Sequence, residues 1–149
     1  MTVSKDLEKI ITEVHPRPDQ RHTMPYAPAI NVEGPADILF LSGSAPSPMY
    51  HQHPHVPEEH QHAPDIETQT RRSLEKIKMV LDTQGLTFRH VVKITKYLTD
   101  MRDMDGMVAV LKEYFGDWKP ASTTVCVNCL NTPGARVELD MIAVRPKSA

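Results

Sequence analysis

Two segments of the chain repeat apolar residues with the period of an amphipathic α-helix. The first segment lies between Asp65 and Gly85, and the second lies between Asp103 and Gly116. Aspartate is a preferred N-cap residue, and glycine is favoured just after the last turn of a helix. The pattern therefore predicts two helices with both ends marked. Their apolar faces consist of Ile66, Leu74, Ile77 and Leu81 with Thr70, and of Met104, Met107, Val108, Leu111 and Phe115.

Four other segments have the composition of β-strands. Residues 38–43 form a short apolar run that ends in Ser-Gly, and residues 91–98 are rich in β-branched side chains. Residues 123–130 and 136–144 alternate in character on either side of a Pro-Gly turn, which predicts that these two strands pair. The order of strands, helix, strand, helix and strands predicts an α+β domain with two helices on one face of a sheet.

The remaining segments carry weaker signals. Residues 1–25 contain a short amphipathic stretch and then a polar, proline-containing lead-in; the apolar positions at helical spacing are Leu7, Ile10, Ile11 and Val14. Residues 44–64 form a long loop rich in Pro and His, and a loop of this length in a compact domain is usually functional, mobile or both. Because 149 residues suit one domain, we assign residues 1–23 to an N-terminal extension and residues 24–149 to that domain.

Charge and hydropathy argue against nucleic acid or a membrane as a partner. The formal net charge is −2 and the pI is about 6.4, with no run of Lys or Arg, whereas nucleic-acid binders usually carry a basic patch. No apolar run approaches the ~20 residues that span a bilayer, and the polar N-terminus does not resemble a signal peptide. We therefore expect a cytoplasmic protein.

The two cysteines, Cys126 and Cys129, form a Cys-x-x-Cys pair within a predicted strand. Side chains three apart in a strand point to opposite faces, which disfavours a disulfide between them. A redox motif needs a turn that enters a helix, and a structural zinc site needs further ligands such as a second cysteine pair. Buried or edge-strand cysteines are therefore the preferred interpretation.

Four short segments, taken in order, resemble the RidA (YjgF) family. They are Pro-Tyr-Ala-Pro-Ala at residues 25–29, Leu-Ser-Gly-Ser-Ala-Pro at 41–46, Asp-Ile-Glu-Thr-Gln-Thr-Arg-Arg-Ser-Leu-Glu at 65–75, and Pro-Ala at 120–121 with Val-Glu-Leu-Asp-Met-Ile-Ala at 137–143. Each segment alone is a weak signal, but together, at near-family spacing, they are a strong one. Residues 24–149 are thus interpreted as a RidA-like domain.

The resemblance implies a chorismate-mutase-like α+β fold with a mixed sheet and a homotrimer with an active-site cleft at each subunit interface. The implied activity is the cofactor-free hydrolysis of a reactive enamine or imine to a ketone or keto acid and ammonia. An imine carbon is already electrophilic, so the protein has to orient the substrate, place a water molecule and stabilise charge as nitrogen leaves.

Carried over position by position, the resemblance places the catalytic, water-handling glutamate at Glu138 and cleft-lining residues at Tyr26 and Ser42. The family's substrate-binding arginine falls at Ser122, and an asparagine on its second helix falls at Val108. Serine cannot form the bidentate contact that arginine makes with a carboxylate. We therefore expect a substrate other than the usual 2-iminoalkanoates, such as an amino-muconate-type catabolite.

Further pocket residues follow from the predicted pairing of the last two strands. Arg136 is a candidate carboxylate anchor in place of the missing arginine, and Cys126 and Asn128 share the even-numbered strand face with Glu138. The alternative is that Glu138 is only a solvated strand carboxylate, and that Ser122 simply begins a strand.

Five histidines lie in the long loop: His51, His53, His55, His60 and His62. Alternating histidines in an extended segment share one face and can bind a transition metal through neutral imidazoles. A polar loop that binds metal only adventitiously is the preferred interpretation, so no metal and no cofactor are predicted. A third alternative is a lid over the cleft in which protonated histidine contacts an anion.

Three functions remain open. The preferred one is a small-molecule hydrolase acting on a C–N or C=N bond, that is, an enamine/imine deaminase. The second is a non-catalytic ligand-binding or regulatory trimer that kept the fold and lost the arginine. The third is a metal-dependent hydrolase that uses the histidine-rich loop.

Overall fold

The structure, a computed structural model, describes residues 7–147, which form an α+β domain. The elements are α1 Leu7–Ile10, β1 Ile11–Val14, β2 Ala29–Val32, β3 Ala36–Phe40, α2 Ile66–Thr83, β4 Val91–Leu98, α3 Met104–Phe115, β5 Ala121–Cys126 and β6 Val137–Pro146. Strands β3, β6, β4 and β5 lie in that order in a four-stranded sheet, and β1 pairs with β2 in a separate two-stranded sheet. Short 3-10 turns occupy Pro18–Thr23, Pro57–His60, Phe88–His90 and Met101–Asp103.

Local capping chemistry sets the ends of the two long helices. The Asp65 carboxylate accepts a hydrogen bond of 2.8 Å from the Thr68 N–H and so caps α2. Gly85 and Gly116 follow the two helices with φ of +66° and +59°, a conformation that glycine adopts without strain. Both predicted helices are confirmed. The predicted cap by Asp103 is wrong, because its carboxylate makes no cap hydrogen bond and forms an ion pair with Arg136 at 3.0 Å.

The predicted pairing of the last two strands is also wrong, because β4 lies between them. Strand β5 runs parallel to β4, and β6 runs antiparallel to the other edge of β4. The order β4–α3–β5 explains this arrangement, since a helix between two strands carries the chain back to start a parallel neighbour. The Pro-Gly turn therefore belongs to the connection 127–136, which passes the end of β4.

The N-terminal segment differs from its helical prediction. Only Leu7–Ile10 is helical, and Ile11–Val14 forms β1 and pairs antiparallel with β2, a strand that was not predicted. The fully buried Ile11 packs with Trp118 and Val144 in a second, smaller core. The boundary between the predicted extension and the predicted domain, at residues 23 and 24, stays a prediction. Residues 1–6 of the extension and 148–149 of the domain lie outside the described residues.

Helices α2 and α3 pack on one face of the four-stranded sheet, as predicted. The main core joins their apolar faces to the odd-numbered residues of β6 (Val137, Leu139, Met141 and Ala143), which are at most 1% exposed. The opposite face carries Ile38, Phe40 and Val125, whose exposed fractions are 58%, 73% and 36%. Among residues 7–147, no helix combines the length and apolar character needed to cross a membrane.

One buried side chain joins three separate segments. Gln69 of α2 is 1% exposed, and its Nε2 donates to the carbonyls of Ala63 and Gly134 at 2.8 and 3.0 Å. Its Oε1 accepts from the Arg136 N–H at 2.9 Å. The side chain thus provides hydrogen-bond partners for backbone groups of the long loop and of the connection before β6. These backbone groups lie outside the β-sheets and would otherwise lack partners.

We predict that Gln69→Leu lowers the free energy of unfolding by about 2–4 kcal/mol, because three backbone groups lose their partners. The matched control is the neighbouring Thr70→Val, since Thr70 is fully buried but its hydroxyl has no partner among the described residues. Urea unfolding followed by circular dichroism measures both. Equal destabilisation by the two variants would contradict the role assigned to Gln69.

Candidate functional site

Glu138 lies in β6 on the sheet face opposite the helices, and its carboxylate rests against the backbone of Gly43. A Cβ added at Gly43 would overlap Glu138 Oε1 and lie 3.1 Å from Glu138 Cδ. The approach follows from a backbone pair just after β3, in which the Ser44 and Leu139 amides donate to each other's carbonyls at 2.7 and 3.0 Å. The exposed Ser42 therefore lies on the segment beside Glu138.

Ser122 lies elsewhere, in a cavity of about 300 Å³ at the edge strand β5. Its hydroxyl oxygen is buried and has no hydrogen-bond partner among residues 7–147. Val108 of α3 lines the same cavity, together with Met24 and Pro25. The two positions at which the sequence departs from the RidA pattern thus meet in one place.

Lys96 is a cavity residue that the sequence reasoning missed. It lines the same cavity as Ser122, and burial, with a smaller contribution from Lys93, lowers the pKa of its ammonium group. None of the ion pairs found among residues 7–147 involves Lys96. The sequence does contain a signal for this position, because side chains two apart in a strand share one face. Lys96 lies between Ile94 and Leu98, whose side chains face the core.

The sheet separates the two groups of residues. Ser122 pairs with Ile94 of β4, whereas Glu138 pairs with Tyr97. Ile94 and Tyr97 are about 10 Å apart along β4. Strands β5 and β6 lie on either side of β4, so Ser122 and Glu138 are also about 10 Å apart across the sheet. Because the side chains also point to opposite faces, Ser122 and Glu138 of one chain cannot contact the same small molecule.

The same topology relocates two other predicted residues. Cys126 pairs with Leu98 and so shares the face of Ser122, which corrects the expectation that Cys126 and Glu138 share a face. Cys126 and Cys129 are both free and exposed rather than buried; Cys126 ends edge strand β5 and Cys129 lies beyond it.

Arg136 and Tyr26 have different surroundings. The Arg136 guanidinium forms an ion pair with Asp103 and donates to the Pro64 carbonyl at 2.8 Å, so both contacts hold it against the starts of α3 and α2. Tyr26 is 39% exposed, and its neighbour Ala27 bridges to Ala121, directly before Ser122. The structure thus brings Tyr26 close to the cavity rather than to Gly43 and Glu138.

The long loop gathers four of its five histidines. The rings of His51, His53, His55 and His60 contact one another in tilted and edge-on arrangements, with centroid separations between 4.5 and 4.9 Å. His62 stands apart, and its Nε2 lies 2.8 Å from the Thr132 hydroxyl. Burial lowers the pKa of His62, which favours the neutral ring at that contact.

Comparisons with known proteins agree with this fold and with the motifs. A family model described as Endoribonuclease L-PSP matches residues 17–145. The RutC family protein PH0854 of Pyrococcus horikoshii is 36% identical over 138 residues, which cover 93% of this chain and 98% of the relative.

Two further relatives extend the comparison. A protein of Escherichia coli K12 named "Putative reactive intermediate deaminase TdcF" is 28% identical over 123 residues, covering 81% of this chain and 87% of the relative. The crystal structure of Rv2704 from Mycobacterium tuberculosis, a member of the YjgF/YER057c/UK114 family, superposes with a TM-score of 0.58 at 26% identity, covering 89% of this chain and 98% of that one.

Proposed function

The chain belongs to the RidA (YjgF) family, whose model is described as Endoribonuclease L-PSP, and on that premise we propose that it hydrolyses a reactive enamine or imine. The observation that carries the proposal is the Glu138 carboxylate held against Gly43, at the position that the resemblance gives to the water-handling glutamate. The name of the relative TdcF, a reactive intermediate deaminase, supports the same reaction class.

Glu138 acts on the water molecule. Its carboxylate orients the water, accepts one water proton as the oxygen adds to the imine carbon, and returns that proton to the nitrogen, which yields a tetrahedral carbinolamine with one hydroxyl and one amino group. Transfer of the hydroxyl proton to that nitrogen through Glu138, with cleavage of the C–N bond, releases ammonia and leaves a carbonyl group. An enamine first becomes the imine by moving its N–H proton to carbon. The overall balance is one imine and one water to one carbonyl compound and one ammonia.

The cavity around Ser122 and Lys96 binds the substrate. An ammonium group and a free hydroxyl replace the family's guanidinium, so the site offers a point charge and one hydrogen-bond donor instead of a bidentate fork. This combination suits an anionic substrate whose carboxylate does not need the planar contact of arginine. A dicarboxylate of the amino-muconate type meets that description better than a small 2-imino acid.

A complete site needs two copies of the chain. Glu138 and Lys96 are separated by the sheet within one subunit, so both can serve one substrate only if neighbouring subunits supply them. The exposed apolar side chains Ile38, Phe40 and Val125 share the face of Glu138, and their burial favours association through that face. The assembly proposed is the homotrimer that the resemblance implies, with one site at each interface.

The first test is ammonia release from a panel of enzymatically generated imines and enamines, including 2-aminoacrylate and an amino-muconate. We expect acceleration by the wild type, a loss of roughly 10²–10⁴-fold in Glu138→Ala, and no effect of a chelator. Asp140→Ala is the matched control, because Asp140 is the next carboxylate on the same face of β6. RNA cleavage is assayed in parallel, and none is expected.

The same panel includes Ser122→Arg, which restores the family residue. A wild type that is inert on every substrate would contradict the proposal. If Ser122→Arg then gains activity on 2-aminoacrylate, the non-catalytic binding trimer becomes the better interpretation.

The second prediction concerns Gly43. Its φ is not in the positive region, so the backbone accepts alanine, and within residues 7–147 the only new collision is with the Glu138 carboxylate. Gly43→Ala is expected to reduce kcat at least tenfold while the urea midpoint stays close to that of the wild type. In a Glu138→Ala background the same substitution should have no further effect on rate, and an additional loss there would show that Gly43 acts otherwise.

The third prediction tests the shared site by mixing subunits. Glu138→Ala and Lys96→Met should each be nearly inactive. The whole mixture refolded at equal ratio should recover about one quarter of wild-type activity, since one interface in four pairs two intact residues, and the mixed trimers alone should recover about one third. Differently tagged subunits allow the mixed oligomers to be purified. If verified mixed oligomers recover no activity, either one chain supplies both Glu138 and Lys96 to the same site, or Lys96 does not belong to the site.

A further inference from the structure

Three histidines of the long loop bring ring nitrogens close together. His51, His55 and His60 each offer one nitrogen, and these three atoms lie within 4.8 Å of one another. The Nε2 atoms of His51 and His55 are 3.2 Å apart. Two nitrogens bound to a tetrahedral metal at Zn–N distances of ~2.0–2.1 Å lie about 3.3 Å apart. One pair therefore already has ligand spacing, and the third nitrogen needs a shift of about 1.5 Å.

The other ring nitrogens of two of these histidines are held by neighbours. His51 Nδ1 donates to the Pro48 carbonyl at 2.9 Å, which leaves the lone pair on Nε2. His60 Nδ1 contacts the Ser47 hydroxyl at 2.8 Å, and His60 Nε2 is buried without a partner among residues 7–147. Ligating histidines usually have their second nitrogen fixed in this way. The buried, unpartnered Nε2 is an independent observation that points to a ligand at this position.

The backbone around the cluster is also tied in place. The Glu59 carboxylate accepts a hydrogen bond of 2.7 Å from the Gln52 N–H and so joins the two arms of the loop. The Ser47 hydroxyl lies 3.5 Å from that of Thr132, in the connection before β6. Such anchoring distinguishes the cluster from a flexible histidine-rich tail that binds metal only adventitiously.

We propose that His51, His55 and His60 form a binding site for one divalent transition metal of the zinc class, with a fourth position open to water or another ligand. Imidazole nitrogens suit zinc, nickel and copper, whereas calcium and magnesium take oxygen ligands. His53 stacks on the same cluster but offers no nitrogen to the converging set. The site is distinct from the residues assigned to deamination, so the predicted chelator-insensitive activity and this metal site are compatible.

The test uses the full chain after removal of metal. Zinc is titrated in competition with a chromophoric chelator, and cobalt absorption reports tetrahedral coordination. We expect one metal ion per chain and a loss of affinity of at least about 100-fold in His51→Ala and in His55→Ala. His53→Ala, in the same loop and equally exposed as His55, should stay within about threefold of the wild type.

Stability provides a second measurement. Zinc should raise the melting temperature of the wild type and of His53→Ala but not that of His55→Ala. Because His55 is exposed, its replacement leaves the metal-free fold intact, which a urea titration checks. Equal weakening by all three variants, more than one weakly bound ion per chain, or wild-type affinity in His55→Ala would overturn the proposal. None of these outcomes depends on the ammonia assay.

Discussion

The three hydrogen bonds of the Gln69 side chain determine where strand β6 begins. These bonds join the end of the long loop to the connection 127–136. The backbone groups involved, the carbonyls of Ala63 and Gly134 and the N–H of Arg136, do not pair with a neighbouring strand. A buried amide on the rigid helix α2 supplies those partners, and Arg136 adds contacts to Pro64 and Asp103. Once the Arg136 N–H is fixed, Val137 enters the core and Glu138 faces the other side of the sheet.

The position of β5 follows from a different constraint. Strand β4, helix α3 and strand β5 form one crossover unit, which places β5 beside β4 and leaves only the opposite edge of β4 for β6. Glu138 and the cavity of Lys96 and Ser122 are consequently kept apart within each chain. The helices cover one face of the sheet, whereas Phe40 and Ile38 are exposed on the other face.

The sequence predicts local features better than the contacts between distant segments. Asp65, Gly85 and Gly116 mark helix ends through contacts within a few residues, and these predictions are confirmed. The pairing of β5 with β6 fails because it depends on which strand occupies the middle of the sheet, and a ten-residue connection is longer than hairpin loops usually are. The spacing of Leu7 to Val14 fits a helix, but pairing with β2 and burial against Trp118 decide the structure.

In the candidate site, too, the sequence indicates individual residues better than the contacts between distant segments. Motifs point to Glu138, Ser42 and Ser122, yet they do not reveal that the sheet separates Ser122 from Glu138. Lys96 carries no motif, but a lysine on a buried strand face bears a cost, because burial disfavours its charged form and lowers its pKa. In the function proposed above, a bound carboxylate would offset that cost by favouring the charged form of Lys96. On that proposal, a cavity with serine in place of the family's arginine selects an anion by charge rather than by a planar pair of hydrogen bonds.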